Sequence, residues 1–280
     1  MAEQKPQQIA GYDPESTDLS TRACLHLATV LGDYADDIVI VGGLVPYLLV
    51  DQSKADQDQR HCGSKDVDVV FSIAIIDEER YEAIANRLRT AGFKPDTNEN
   101  GNLTFQRWRH GVYVKAVVDF LIETEGKPRS LVHLTNDLAA IITPGASLAF
   151  KDAHKKTLQG TTFDGAFVTR DVAICGPGAF IILKSMALQI RSEPKDAYDI
   201  YYLLRNYDGT LEEIAERIRN LLGQVTAKTG LEYLEANFST LDNNGPILLA
   251  KFLAEEGNDD LRADCSGLVM ELVRLCKQGS

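Results

Sequence analysis

The sequence predicts a strand-rich head of α+β or α/β type followed by a helical C-terminal part, and we read the whole as α+β. Three observations predict this. Short apolar runs rich in β-branched residues, Ile38–Val41 and residues 67–73, read as buried strands. The Asn100-Gly101 pair between two further apolar runs is a hairpin signal. After Gly176-Pro177-Gly178 the apolar spacing changes to that of helices and stays there. Three segments follow: a lead-in over residues 1–17, a head over 18–175, and a helical part over 176–280.

The lead-in is polar and reads as loosely ordered. Asp18 or Ser20 is placed to cap a helix running to about Tyr34, with Leu25, Leu27, Ala28 and Leu31 on its apolar side. Gly42 and Gly43 end the first strand, and residues 44–50 begin a helix. Residues 51–65 are polar and read as a loop. Residues 77–91 form an amphipathic pattern closed by Gly92. Strands are expected at 93–97, 103–109 and 112–122, then short strands and turns over 131–168, broken by Pro144, Gly145, Gly160 and Gly165. Helices are expected at 179–191, 194–206 and 211–228, with two or three more to Cys276.

Composition excludes several classes. Apolar residues make up 44% of the chain and charged ones 25%, which is ordinary for a globular protein. The net charge of -12 removes any general attraction to nucleic acid or to an anionic membrane, and DNA is not an expected partner. The apolar stretch over 38–50 is interrupted by Gly42, Gly43 and Pro46 and is too short for a bilayer. The N-terminus has no signal-peptide core. The five cysteines form no CxxC pair and the five histidines no HxxxH or HxH pair, so we expect free thiols, no zinc centre and a cytoplasmic location.

Two pieces carry the strongest chemistry. One is the strand–turn–helix Ile38-Val39-Ile40-Val41-Gly42-Gly43-Leu44, where glycines let the backbone approach a phosphate and the helix start favours anions. The other is Ser64-Lys65-Asp66-Val67-Asp68, where two carboxylates two residues apart share one strand face. Such a pair repels unless a positive charge lies between, and Mg²⁺ prefers hard oxygen ligands. Glycine turns and Asp-x-Asp pairs are common singly; their combination in this order is more specific. Asp119, in an apolar strand, is either a third metal ligand or base, or a carboxylate paired with Arg107 or Arg109. A second cluster is Lys184, Arg191, Lys195, Asp196 and Asp199. Lys184 stands in a very apolar helix and needs a partner or a ligand phosphate, whereas Lys195 and Asp199 have the spacing of an ordinary surface pair. Tyr198, Tyr201 and Tyr202 read as core packing rather than a platform for a base.

Gly42-Gly43, then Ser64-Lys65-Asp66-Val67-Asp68, then Lys184, then Lys195-Asp196-Ala197-Tyr198-Asp199 together resemble the AbiEii-type nucleotidyltransferases. These are the toxins of type IV toxin–antitoxin systems, include the MenT-like toxins, and belong to the DNA polymerase β-like superfamily. The resemblance spans roughly residues 38–204. Ser64 stands in a usual Thr place and Lys195 in a usual Arg place, which keeps the charge but loses a bidentate fork. The resemblance implies a polymerase β-like head, a mixed sheet flanked by helices, with the helical C-terminal domain closing over the nucleotide. It implies transfer of a nucleoside monophosphate from an NTP to a hydroxyl, with Mg²⁺ or Mn²⁺ as cofactor. Asp66 and Asp68 would bind metal, and Gly42, Gly43 and Ser64 the triphosphate. Lys184 would meet phosphate oxygens, and Lys195 and Asp199 would belong to the nucleotide site. Asp119 or Asp196 would be the base or the remaining metal ligand. The acceptor would be RNA such as tRNA, and a cognate antitoxin would be a partner. The alternatives are transfer to an aminoglycoside-like small molecule or to a protein, and a degenerate fold that binds nucleotide without turnover.

Overall fold

The structure is a computed structural model that describes residues 6–53, 60–72, 78–124 and 127–278. It is an α+β protein with a mixed sheet flanked by helices. The chain divides into two compact units. The first comprises Asp13–Val45 and Gly63–Cys175. The second comprises described residues from 6–12, 46–62 and 176–278. The expected strand end at Ile73 and helix start at Asp77 lie outside the described residues, as do 1–5 of the lead-in and 54–59 of the loop.

In the first unit, helix α1 (Pro14–Leu31) begins earlier than expected. Asp13, not Asp18 or Ser20, is its cap: the Asp13 carboxylate accepts the Ser16 N–H at 2.8 Å and Pro14 takes the first turn. Ser20 sits inside the helix, and its hydroxyl donates to the Ser64 carbonyl at 3.1 Å. Gly32 ends α1, so the chain reaches Tyr34 in a 3-10 segment rather than in the helix. The lead-in also holds a short 3-10 turn, Ile9–Gly11.

Nine strands appear among the described residues: β1 (Ile38–Val41), β2 (Val67–Phe71), β3 (Phe93–Thr97), β4 (Leu103–His110), β5 (Val117–Ile122), β6 (Ser130–His133), β7 (Ala139–Ile142), β8 (Ala153–Thr161) and β9 (Phe167–Cys175). Their order is β3-β4-β5-β2-β1-β9-β8, with β7 beside the far half of β5 and β6 outside β7. β1 pairs antiparallel with β2 and parallel with β9, and β2 pairs parallel with β5. The central β1 is Ile-Val-Ile-Val and wholly buried, as a strand covered on both faces must be. Helix α2 (Val45–Leu49) follows it after a 3-10 turn at Gly42–Leu44. α1 packs against β2, β5, β8 and β9; α3 (Glu78–Thr90) packs against α1 and β3; and α4 (Leu148–Lys151) touches β1 and β9. Phe71 and Phe120 stack at 5.1 Å beside the fully buried Trp108, whose indole N–H donates to the Phe105 carbonyl.

The strand expected from Val112 starts only at Val117. The reason is His110, whose Nδ1 accepts the N–H groups of both Val112 and Tyr113 and folds them into a turn. The region over 153–175 is one long hairpin rather than several short strands.

The second unit carries α5 (Pro177–Arg191), α6 (Pro194–Asn206), α7 (Leu211–Leu221), α8 (Val225–Phe238), α9 (Asn244–Leu253) and α10 (Asp259–Gln278). The single helix expected over 211–228 is two, because the chain breaks at Gly223 and Gln224 between α7 and α8. α5 packs against α6, α7 and α8, and α6 against α9 and α10. The five cysteines are free. Among the described residues no helix is long and apolar enough to cross a membrane.

Candidate functional site

The first unit gathers the carboxylates at the β1–β2–β5 centre of its sheet. One rung runs Val41, Asp68, Asp119, Arg107 across β1, β2, β5 and β4. Register neighbours project to the same face, so Asp68 and Asp119 stand side by side and repel. Arg107 relieves this. Its Nε donates to Asp119 Oδ1 at 2.7 Å and its Nη2 to Asp119 Oδ2 at 2.5 Å. The same Nη2 donates to Asp66 Oδ2 at 3.3 Å. Those hydrogen bonds to Asp119, and the charges of Asp119, Asp66 and Asp68, hold the guanidinium even more firmly protonated than usual. Of the two arginines that sequence offered to Asp119, Arg107 is the partner. Arg109 instead forks onto Asp96 at 2.9 and 2.8 Å.

Asp66 lies just before β2 and is buried, its Oδ1 accepting from the buried Ser64 hydroxyl at 3.2 Å. Gly42 has φ +75°, and a Cβ added there would lie 1.9 Å from Asp68 Oδ2. The glycine therefore lets the Asp68 carboxylate lie against the turn backbone. Gly43 is the next residue of the same 3-10 turn.

The second unit gathers Lys184, Arg191, Lys195, Asp196 and Asp199, and adds His61. Lys184 lies on α5; Asp196, Lys195 and Asp199 lie on the first turns of α6. Lys184 Nζ donates to Asp196 Oδ1 at 2.9 Å and to Asp199 Oδ2 at 2.6 Å. Arg191 forks onto Asp196 at 2.6 and 2.7 Å. Lys195 Nζ donates to Asp199 Oδ1 at 2.6 Å and lies over the Tyr12 ring. This pair has the spacing of a surface ion pair, yet it is buried. Burial opposes ionisation of both aspartates. The charges of Lys184 and Lys195, with the His61 hydrogen bond, nonetheless hold Asp199 well below the usual carboxylate range. Lys184 and Arg191 likewise lower Asp196.

His61 was not legible as a site residue, since a lone histidine in a polar loop carries no pattern. Its Nε2 lies 2.9 Å from Asp199 Oδ1, and its ring stacks on Tyr198 at 5.2 Å and meets Tyr202 edge-on at 4.7 Å. Burial lowers its pKa to about 4, although the Asp199 hydrogen bond works the other way. The imidazole is therefore neutral, and its Nε2–H donates a hydrogen bond to the ionised Asp199 carboxylate. Tyr198 and Tyr202 are buried packing residues, whereas Tyr201, expected to pack with them, is half-buried and donates its hydroxyl to Asp264 at 2.7 Å.

Does the first cluster fit a divalent cation? Asp66 and Asp68 offer hard oxygen donors two residues apart, which suits Mg²⁺. Asp119, beside Asp68 on the next strand, has both its oxygens hydrogen-bonded to Arg107. Among the described residues, no three His, Cys, Asp or Glu side chains are grouped to hold an ion. Surface depressions of about 730 Å³ at residues 254–260 and about 520 Å³ around Lys94 and Arg109 take in none of these residues. Comparison with known proteins finds no matching family model, no matching curated protein and no matching solved structure.

Proposed function

We propose that this chain is a nucleotidyltransferase with a polymerase β-like head and a helical C-terminal domain, moving a nucleoside monophosphate from an NTP to a hydroxyl. The observation that carries the reading is the Gly42–Asp68 contact. A glycine turn that leaves a short β1 at positive φ is backed by a strand carboxylate, with Asp66 and Asp119 beside it. A purely structural turn has no need of three carboxylates at a sheet centre, where each is expensive to bury.

In this reading Gly42 and Gly43 let the triphosphate approach the backbone, and the start of the following helix favours its charge. Asp66 and Asp68 are the residues that would hold Mg²⁺ or Mn²⁺, which when bound neutralises phosphate charge. Ser64 positions Asp66 through its hydroxyl. Within the second unit Lys184 donates to Asp196 and Asp199, and on the family resemblance it would also meet phosphate oxygens. Asp196 and Asp199 are positioning carboxylates: their lowered pKa values make both poor bases. The acceptor hydroxyl gives its proton to solvent, its oxygen attacks the α-phosphorus, the bond to the bridging oxygen breaks, and pyrophosphate leaves with that electron pair. On the family resemblance, the activity would be toxic to the producing cell and held in check by a cognate antitoxin.

The test is incubation with Mg²⁺ or Mn²⁺, each α-labelled NTP in turn, and total RNA with lysate protein. Asp66→Ala and Asp68→Ala serve as controls. Label in an RNA, protein or small-molecule fraction, lost in both variants, supports the reading and names the acceptor class. Label that survives in both variants, or no transfer with any NTP, overturns it.

A further inference from the structure

This inference rests on the nucleotidyltransferase reading and concerns how its carboxylate set is regulated. Asp119 and Asp66 share one guanidinium, that of Arg107, and Asp68, on the same rung one strand beyond Asp119, adds its field. The backbone fixes Arg107 there: β4 places it directly opposite Asp119, and the next residue, Trp108, is fully buried. The Arg107 side chain is only about one-fifth exposed, so its attraction to the carboxylates is weakly screened. We infer that Arg107 is a built-in counter-ion of this site, and that a divalent cation takes Asp66 and Asp68 only as Arg107 withdraws from Asp66.

The physics is competition. A guanidinium and a divalent cation repel, and both seek Asp66. Mg²⁺ also demands short, near-octahedral oxygen contacts, which a carboxylate tied to an arginine supplies poorly. Arg107 therefore keeps the three carboxylates stable without metal and sets the cation affinity lower than the carboxylates alone would give. Asp119 acts through Arg107: it anchors the arginine by two bonds while the single 3.3 Å bond to Asp66 is the one that yields.

The experiment is titration of the full-length protein with Mn²⁺ alone, followed by electron paramagnetic resonance, for the wild type, Arg107→Lys and Arg107→Gln. We expect Arg107→Gln to bind Mn²⁺ roughly tenfold more tightly, since a nearby positive charge is gone. Arg107→Lys should stay near the wild type. The second measurement needs no charge-removing variant. The Arg107 Nε–H resonance, assigned by its absence from the Arg107→Lys spectrum, should shift when Mg²⁺ is added to the wild type. Equal Mn²⁺ affinity in all three proteins, weaker binding by Arg107→Gln, or an Nε–H resonance unmoved by bound Mg²⁺ overturns the counter-ion role and leaves the transferase reading standing. No Mn²⁺ binding by any of the three overturns both.

Discussion

At the scale of single residues, Gly42 is a tightly constrained position in the first unit. Its φ of +75° is one that side chains avoid, and a Cβ there would meet Asp68 Oδ2 at 1.9 Å and Asp68 Cβ at 3.0 Å. Gly42→Ala should therefore lower stability by roughly 2–4 kcal/mol, combining backbone strain with a steric clash. Urea unfolding measures this. In an Asp68→Ala background the same change should do less harm, because the carboxylate is gone, but some, because the Asp68 Cβ and the φ remain. Equal penalties in both backgrounds would sink the contact as the cause. The same residues show what a sequence makes legible. Gly42, Asp66 and Asp68 stand out because glycine and aspartate are unusual beside buried strands. The choice of Arg107 over Arg109 for Asp119 was open, because two arginines two apart in one strand share a face, and only pairing register separates them. His61 gave no signal, since its partner Asp199 lies 138 positions away.

At the scale of elements, local chemistry decides most boundaries. Thr210 caps α7, accepting the Glu213 N–H, while the Glu213 carboxylate accepts the Thr210 N–H. Thr210→Ala should lower stability by about 1 kcal/mol in urea unfolding, and a change below a few tenths would show that the capping box is dispensable. Ala254, which ends α9, has φ +58° and is exposed. Ala254→Gly should raise stability by up to about 1 kcal/mol, because glycine is favoured in the left-handed cap. No gain, or a loss, would mean that the freedom glycine adds to the unfolded chain dominates. The elements themselves were largely legible: β1, β3 and α6 fall where hydrophobic period and turn residues put them. The misplacements have specific causes. Asp13-Pro14 is a better helix start than Asp18 or Ser20, since it joins a capping carboxylate to a proline. The turn over 112–116 continues an apolar run, and only the His110 ring, accepting two N–H groups, takes it out of the strand.

At the scale of the whole molecule, the buried polar clusters set the response to acid. His61 is neutral in the folded chain, with a pKa near 4 against about 6.5 when unfolded. Between those values the unfolded chain binds a proton that the folded chain does not, so stability falls as pH drops from about 6.5 towards 4. Burial also lowers His110, which faces His26 and the aromatic rings of Phe93, Tyr113 and Phe163, and it adds a loss of the same sign. Asp196 and Asp199 act further down. Their depressed pKa values stabilise the fold above about pH 4, and that contribution fades as pH falls below the unfolded carboxylate range. Urea midpoints measured from pH 7.5 to pH 4 should therefore decline continuously, with His61 alone contributing a loss of about 3 kcal/mol at most. His61→Gln keeps an N–H donor for Asp199 but removes the titration. It should be less stable than the wild type at pH 7.5, through lost stacking on Tyr198, and should show a shallower decline, the remaining slope coming from His110. Parallel pH curves for the two proteins would refute the assignment to His61. A convergence towards pH 4 would locate the acid sensitivity in the second unit's Lys–Asp–His cluster.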